Sequence, residues 1–106
     1  NIYPKEIEEF IYTHDKVEDV QVIGVPDEGL GEEICAEVVL KKGETMTEDE
    51  LRAYVGSNMA KHKVPKYVLF VDSFPMNAAG KILKYKMRED AIKIFNLEKA
   101  NDIETA

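Results

Sequence analysis

Cysteine is almost absent from this chain of 106 residues, and apolar stretches long enough to cross a membrane are missing. The single cysteine, Cys35, excludes an internal disulfide and a cysteine-only metal site, which argues against a secreted disulfide scaffold. No apolar run approaches the roughly 18 residues of a transmembrane helix, and the amino terminus shows no signal-peptide pattern. These absences predict a cytoplasmic protein without a membrane span.

Basic residues are also scarce, since 14 Lys and Arg stand against 21 Asp and Glu, which gives a net charge of −7. This balance disfavours a nucleic-acid-binding protein and a polybasic membrane-binding protein. The charge is unevenly distributed, because residues 1–60 carry 5 basic and 15 acidic side chains, whereas residues 61–106 carry 9 and 6. An anion-binding site is therefore expected in the carboxy-terminal part, mostly between Lys61 and Arg88.

The size of the chain predicts one globular domain, because domains cluster at about 100–150 residues and 44% of these residues are apolar. The chain begins at Asn1 without a methionine and enters a helix pattern at once, so we expect it to be a piece of a longer protein. We assign residues 1–97 to the domain and residues 98–106 to a carboxy-terminal tail, in which residues 101–106 are expected to fray.

The first half of the chain predicts a helix followed by a β-hairpin. Pro4 suits the first turn of a helix, and apolar residues at helical spacing extend this amphipathic helix over about residues 4–13. Its predicted buried face consists of Tyr3, Ile7, Phe10 and Ile11. The β-branched segment 20–25 predicts a strand that ends at Pro26, and the alternation over residues 34–41 predicts a second strand with one buried face. The turn between them indicates an antiparallel hairpin.

The second half predicts two helices around one further strand. Thr47 and Glu50 form a capping-box pattern, in which each side chain can accept the other residue's backbone N–H at a helix start. The inward face of that helix is expected to consist of Leu51, Val55 and Met59. Residues 67–71 are apolar on both sides and predict a central strand covered on both faces. A loop over residues 74–81 leads to a last helix. Its predicted apolar face consists of Leu83, Met87, Ala91 and Ile94.

These elements together predict an α+β fold. We expect a two-layer sandwich, in which a small mixed or antiparallel sheet is flanked by about three helices. The sheet is expected to consist of the hairpin and the central strand.

Side-chain patterns typical of catalysis are mostly missing. His14 and His62 lie outside any metal-ligand or nucleophile pattern, so we expect the first at a solvated helix end and the second at the surface. Cys35 lies on a predicted strand and is expected to be an inert, packed thiol. The turn around Gly29 and Gly31 is surrounded by acidic residues, which favours a hairpin turn over a phosphate-binding loop.

Lys81 has an unusual place in the sequence. It follows Gly80 on a predicted loop, and the helix beyond carries Lys84, Lys86 and Arg88 in its first turns. Cations at a helix amino terminus oppose the helix dipole unless an anion binds there. An ammonium on a loop can neutralise charge that develops on a phosphate or a carboxylate. At this point the alternatives are an anion site and a solvated basic face.

Four segments carry a resemblance to one enzyme family. They are residues 1–8 (NIYPKEIE), residues 22–27 (VIGVPD) with the following Gly31 and Glu32, residues 63–66 (KVPK) and residues 75–82 (PMNAAGKI). In order and spacing these segments resemble the small C-terminal domain of adenylate-forming enzymes: acyl-CoA synthetases, peptide-synthetase adenylation domains and luciferases. The resemblance covers about residues 1–97 and is strongest to fatty-acyl-CoA ligases of the medium-chain type.

The resemblance implies a mobile domain of a two-step ligase that activates a carboxylic acid, such as a fatty acid, with ATP and transfers it to CoA. Lys81 matches the family lysine that contacts the reacting carboxylate and phosphate, which makes it the implied catalytic residue. The implied nucleotide- or CoA-binding residues are Gly80, Lys84, Arg88, Gly31 and Glu32. After adenylation the family rotates this domain about a hinge, and another face then helps to form the pantetheine tunnel.

The same resemblance assigns the nucleotide-binding loop, the Mg²⁺ ligands, the acyl pocket and the hinge to a large N-terminal domain that this chain lacks. We therefore expect the isolated chain to have no ligase activity. A lysine acetyltransferase and deacetylase are further implied partners, because acetylation of Lys81 would remove its charge. Three residues depart from the family's common pattern. Asn77 stands in place of Thr and Ala79 in place of Ser or Thr, so altered hydrogen bonds are expected in the loop. Lys84 stands in place of Arg, which keeps the charge but loses a bidentate contact to phosphate.

Two alternatives remain at the level of the sequence. An amino-acid-activating adenylation domain would transfer its product to a carrier-protein thiol instead of CoA. A non-enzymatic interaction module would bind phosphate or RNA through residues 61–88, but it lacks the interleaved exposed aromatic residues that single-strand binders use.

Overall fold

The computed structural model describes residues 3–29 and 31–98. Its helices and strands are α1 (Pro4–Ile11), β1 (Val17–Asp27), β2 (Gly31–Leu40), α2 (Glu48–Gly56), β3 (Tyr67–Phe70) and α3 (Lys84–Ile94), with a short 3-10 helix over Lys61–Lys63. The predicted order of elements is therefore confirmed. The expected fraying of residues 101–106 lies outside the described residues.

The strands form one mixed sheet in the order β1-β2-β3. β1 and β2 are an antiparallel hairpin, in register from Asp27 opposite Gly31 to Val17 opposite Leu40, with an irregularity next to Val17. β3 pairs with β2 in parallel, because the chain passes through α2 before it returns to the sheet. The predicted α+β class, mixed sheet and three helices are confirmed. The central strand of the described sheet is β2, so the expectation that residues 67–71 occupy the centre is wrong.

Helices cover both faces of the sheet. On one face, α1 and α2 bury Ile7, Ile11, Leu51 and Val55 against the strands. On the other face, α3 and the loop before it bury Met87, Ala91 and Phe74. β2 is consequently buried on both sides from residue 34 to residue 38, and the expectation that it has one buried face is wrong.

The apolar pattern of β3 reflects packing on its two faces rather than a place inside the sheet. Val68 joins the part of the core under α1 and α2, whereas Tyr67 packs against Phe95 with ring centroids 4.9 Å apart. An edge strand that is covered on both faces is therefore as apolar as a central strand.

Three expectations about individual residues are corrected. Pro26 lies inside β1, opposite Glu32, because an edge strand tolerates a residue that lacks an N–H. In α3, Ile94 was expected in the core but is 55% exposed, and Ile92 is buried there instead. Tyr3 is exposed beside α1, although the rest of the predicted apolar face packs as expected.

No helix within residues 3–29 and 31–98 combines the length and the apolar character needed to cross a bilayer.

The capping box predicted at the start of α2 is confirmed. Thr47 Oγ1 accepts from the backbone N–H of Glu50 at 3.0 Å. The Glu50 carboxylate accepts from Lys16 Nζ at 3.0 Å and from the Thr47 backbone, and these bonds lower the pKa of Glu50. Because Lys16 directly precedes β1, the cap also ties α2 to that end of the sheet.

Candidate functional site

The loop between β3 and α3 is closed at its stems by backbone pairing. Leu83 donates its N–H to the carbonyl oxygen of Pro75 at 2.9 Å. Met76 and Ile82 form an isolated antiparallel bridge between the two stems. The loop predicted over residues 74–81 is therefore a small closed hairpin rather than an open connection.

The Asn77 side chain pins the tip of this loop. Its Oδ1 accepts from the backbone N–H of Ala79 at 2.9 Å and of Lys81 at 3.0 Å. Gly80 has a φ of +85°, which glycine adopts without steric strain. The Asn77 amide oxygen thus holds the turn that leads into Lys81.

Lys81 is exposed beside an open cleft of about 570 Å³. The cleft is lined by Gln21, Asn77, Lys81, Ile82, Leu83, Lys84 and Tyr85. Among residues 3–29 and 31–98, no carboxylate pairs with the Lys81 ammonium. An unpaired cation at an open cleft suits an anionic ligand.

Two cations of α3, Lys84 and Arg88, are hydrogen-bonded to β1. Lys84 Nζ donates to Glu8 Oε2 at 2.8 Å and to the carbonyl oxygen of Val22 at 3.0 Å. One helical turn later, Arg88 Nε donates to the carbonyl oxygen of Gly24 at 3.2 Å. The structure thus places Lys84 at the Lys81 cleft with its ammonium already paired, and the predicted role of Lys84 and Arg88 in binding the nucleotide or CoA stays a prediction.

Gly31 and Glu32 lie at the start of β2, and neither lines the Lys81 cleft. Gly31 has a φ of +79°, as expected for a glycine that closes a hairpin turn. The Glu32 side chain lies so close over Gly24 that a Cβ there would come within 2.5 Å of Glu32 Oε2. Glu32 and Arg88 thus each lie against Gly24, and neither lines the cleft beside Lys81.

A second cleft of about 510 Å³ opens beside the hairpin turn. Lys66 lines it, donates to Asp27 Oδ2 at 2.7 Å and lies 5.6 Å from the centre of the Tyr67 ring. The hydrogen bond with Asp27 raises the pKa of Lys66. The sequence predicts an anion-binding region between Lys61 and Arg88, which includes the basic segment 61–66. It does not predict this cleft as a separate site.

Glu37 is a buried carboxyl that the sequence pattern did not reveal. It is 4% exposed on the α3 face of β2, and no hydrogen-bond partner for Glu37 Oε2 lies among the described residues. Burial, and then the charge of Asp90, raise the pKa of Glu37 to about 7. Cys35 is buried, which confirms the predicted packed thiol, and burial and the neighbouring Glu37 raise the pKa of Cys35 to about 12.

The two histidines lie apart from each other and from any candidate metal site among the described residues. His62 is exposed as predicted, whereas His14 is half-buried, accepts from the Lys16 N–H at 3.1 Å and packs edge-on against Tyr54. The expectation of a solvated His14 is therefore wrong. Among residues 3–29 and 31–98, no three His, Cys, Asp or Glu side chains are placed to hold a metal ion, so these residues do not fit Mg²⁺.

Comparison with known proteins matches residues 6–81 to the model of the AMP-binding enzyme C-terminal domain family. A Bacillus subtilis protein provisionally named as an acyl-CoA synthetase is 57% identical over 97 residues, which cover 92% of this chain and 18% of that protein. The mitochondrial medium-chain acyl-CoA ligase of Homo sapiens is 47% identical over 97 residues, which cover 92% of this chain and 16% of that protein.

Solved structures show the same similarity in three dimensions. ATP-bound MatB from Rhodopseudomonas palustris superposes with a TM-score of 0.84 at 41% identity, over 90% of this chain and 19% of that chain. A fatty acyl CoA synthetase of Mycobacterium tuberculosis has a TM-score of 0.77 at 43% identity, over 85% of this chain and 18% of that chain. The chain spans less than a fifth of the length of each of these four proteins.

Proposed function

This chain belongs to the family of AMP-binding enzyme C-terminal domains, and we propose that it is the mobile C-terminal domain of an AMP-forming acid–thiol ligase, a fatty-acyl-CoA synthetase. The observation that carries the proposal is Lys81, an exposed cation that follows a pinned loop and borders an open cleft. A cation beside a reacting group stabilises negative charge that develops during the reaction.

In the proposed first step, a carboxylate oxygen of the acid attacks the α-phosphate of ATP, and the bond to the pyrophosphate leaving group breaks. Lys81 contacts the reacting carboxylate and phosphate oxygens, where it stabilises negative charge in the transition state. In the second step, the deprotonated thiol of CoA attacks the acyl carbon of the acyl-adenylate, and AMP leaves. The product is the acyl-CoA thioester.

We further propose that this domain rotates between the two steps. The oxygens of the phosphoryl group need the Lys81 cation in the first step, because only interactions that strengthen in a transition state accelerate it. Rotation withdraws Lys81 and presents a second face of the domain to the pantetheine tunnel. Closure of the domain in each step also excludes water from the hydrolysable adenylate.

We propose that this chain is part of a longer protein, and the remaining ligands are assigned to the rest of that longer protein. ATP, the fatty acid and Mg²⁺ would be held by a large N-terminal domain. CoA is the proposed acceptor, and the proposed location is cytoplasmic. Because the human relative is named as mitochondrial, fractionation of cells that express the longer protein is the test of location.

The longer protein is expected to catalyse acid-dependent ATP–pyrophosphate exchange and CoA-dependent release of AMP, whereas the isolated chain is expected to catalyse neither. The physical reason is that the proposed role of this chain is to bring Lys81 to reactants held by the rest of the longer protein, and reactants that are not bound and aligned react slowly. Both reactions are measured with a series of fatty acids and with amino acids. Acyl-CoA formation by the isolated chain would contradict the domain assignment, and transfer to a carrier-protein thiol instead of CoA would identify an adenylation domain.

Acetylation of Lys81 is a further proposal, since the exposed ammonium is accessible and its neutralisation removes the proposed stabilising charge. Treatment of the longer protein with a lysine acetyltransferase is expected to add one acetyl group at Lys81 and to inhibit exchange in proportion to the modified fraction. Peptide mass spectrometry gives the site. Full exchange activity in a protein acetylated at Lys81 would contradict both this proposal and the catalytic role.

A further inference from the structure

A charged network on the outer edge of β1 lies next to the Lys81 loop. Lys84, the first residue of α3, donates both to Glu8 Oε2 at 2.8 Å and to the carbonyl oxygen of Val22 at 3.0 Å. The same Glu8 oxygen accepts from the backbone N–H of Val22 at 2.6 Å. Glu8 and Lys84 therefore neutralise each other and satisfy both backbone polar groups of one residue on an edge strand.

The start of α3 depends on this network. Its N-cap residue, Leu83, makes no side-chain capping bond, and its first turn contains no acidic residue. A lysine at the first helical position opposes the helix dipole, so this helix end needs a compensating negative charge. Glu8 supplies that charge from α1, a distant part of the sequence.

The same network reaches the loop through the backbone. Leu83, which precedes Lys84, donates its N–H to Pro75 and so closes the loop stem. Gln21, which precedes Val22, lines the cleft beside Lys81. A shift of Lys84 along β1 would therefore move both the stem of the loop and one wall of the cleft.

We infer that Glu8 and Lys84 are positioning residues for adenylation, which hold the loop so that Lys81 reaches the reacting oxygens. In this arrangement Lys84 does not itself bind the nucleotide phosphate. The inference rests on the proposed function of Lys81. It goes beyond that function because it assigns a task to a residue on α1 and replaces the predicted ligand role of Lys84.

The test compares Glu8→Gln, Lys84→Met and Lys84→Arg in the longer protein, with Lys86→Met as the matched control. Lys86 is an exposed lysine on the same helix whose partner is Asp90, so its substitution removes the same charge without touching β1. Glu8→Gln and Lys84→Met are each expected to slow ATP–pyrophosphate exchange about tenfold to a hundredfold, since small misplacements of a catalytic group cost that much. Lys84→Arg and Lys86→Met are expected to retain most of the rate.

Glu8→Gln separates positioning from direct binding. It removes the charge that holds Lys84 but leaves the ammonium in place, and glutamine keeps an oxygen for the Val22 N–H. If Lys84 binds phosphate directly, this variant exchanges as fast as the parent protein or faster, and the inference is overturned. Positioning predicts a slow Glu8→Gln variant and a double variant that is no slower than the slower single one, because both changes break one interaction.

A structural readout distinguishes this inference from the proposed function. Hydrogen–deuterium exchange of peptides that cover residues 75–83 is expected to accelerate in Glu8→Gln and Lys84→Met, but not in Lys86→Met. Unchanged protection of these peptides overturns the positioning role, whatever Lys81 does. A third outcome combines two results: Glu8→Gln and Lys84→Met lose protection, but Lys81→Ala exchanges pyrophosphate at the normal rate. This outcome supports the positioning of the loop and overturns the proposed role of Lys81.

Discussion

Replacement of Lys81 by alanine in the longer protein is expected to slow acid-dependent ATP–pyrophosphate exchange by about 10²–10³-fold, the usual loss when one electrostatic stabiliser of a transition state is removed. The side chain is exposed, so its removal leaves no cavity, and the free energy of unfolding is expected to change by less than about 0.5 kcal/mol. Thioester formation from a preformed acyl-adenylate is expected to keep its rate, because the phosphoryl transfer is already complete.

The control for this prediction is Lys93→Ala, which removes an exposed lysine from the last turn of α3. It is expected to leave both half-reactions unchanged, and it corrects for any general effect of charge. If Lys81→Ala leaves both half-reactions intact, Lys81 is a solvated surface cation and the proposed catalytic role fails. Equal loss of both half-reactions would indicate damage to the domain rather than loss of a stabiliser.

Replacement of Glu37 by glutamine is expected to stabilise the chain above pH 7, by at most about 3 kcal/mol, and to have no effect near pH 4. Burial and Asp90 raise the pKa of Glu37 from 4.5 to about 7 in the folded state. Between these values the folded state holds a proton that the unfolded chain has lost, so the stability of the natural chain falls as the pH rises through this window. Glutamine removes this titration because it stays neutral.

Urea unfolding between pH 4 and pH 9 measures this effect. The groups around Glu37 include Cys35 on β2, Asp90 on α3, whose carboxylate lies 3.7 Å from Lys86 Nζ, and Gln21 directly opposite on β1. Asp90→Asn is expected to lower the pKa of Glu37 in the folded state, because it removes the negative charge that adds to the effect of burial. The loss of stability should therefore end at a lower pH. Glu44→Gln, at an exposed carboxyl, is the matched control and should leave the pH profile unchanged. Parallel profiles for the natural chain and Glu37→Gln would show that the buried carboxyl does not titrate in this range.

The elements that sequence patterns predicted well are those defined by local interactions. The β1–β2 hairpin and the Thr47 cap each depend on residues close together in the chain, and both are confirmed. The error about β2 concerns packing on the second face of the sheet. Glu37 alternates with apolar residues and so indicated a solvent-facing side, but α3 returns from the far end of the chain and covers it.

The candidate site shows the same division. Lys81, its glycine and the loop could be identified from one short segment, and the structure closes that loop with hydrogen bonds among residues 75–83. The surroundings of Lys84 could not be predicted, because its partner Glu8 lies 76 positions earlier in the chain. Lys84 and Lys81 therefore carry the same charge in nearly the same sequence context, but of these two lysines only Lys84 is ion-paired with a described residue.

The charged side chains along β1 also affect whether this domain can associate with other copies of itself. β1 is an edge strand of 11 residues, long enough to template pairing with a strand of another molecule and so to begin aggregation. Glu8, Lys84 and Arg88 occupy backbone groups of Val22 and Gly24 in the middle of that edge. An incoming strand would have to displace three charged side chains before it could pair, so the same contacts that anchor α3 also protect the domain against intermolecular β-sheet growth.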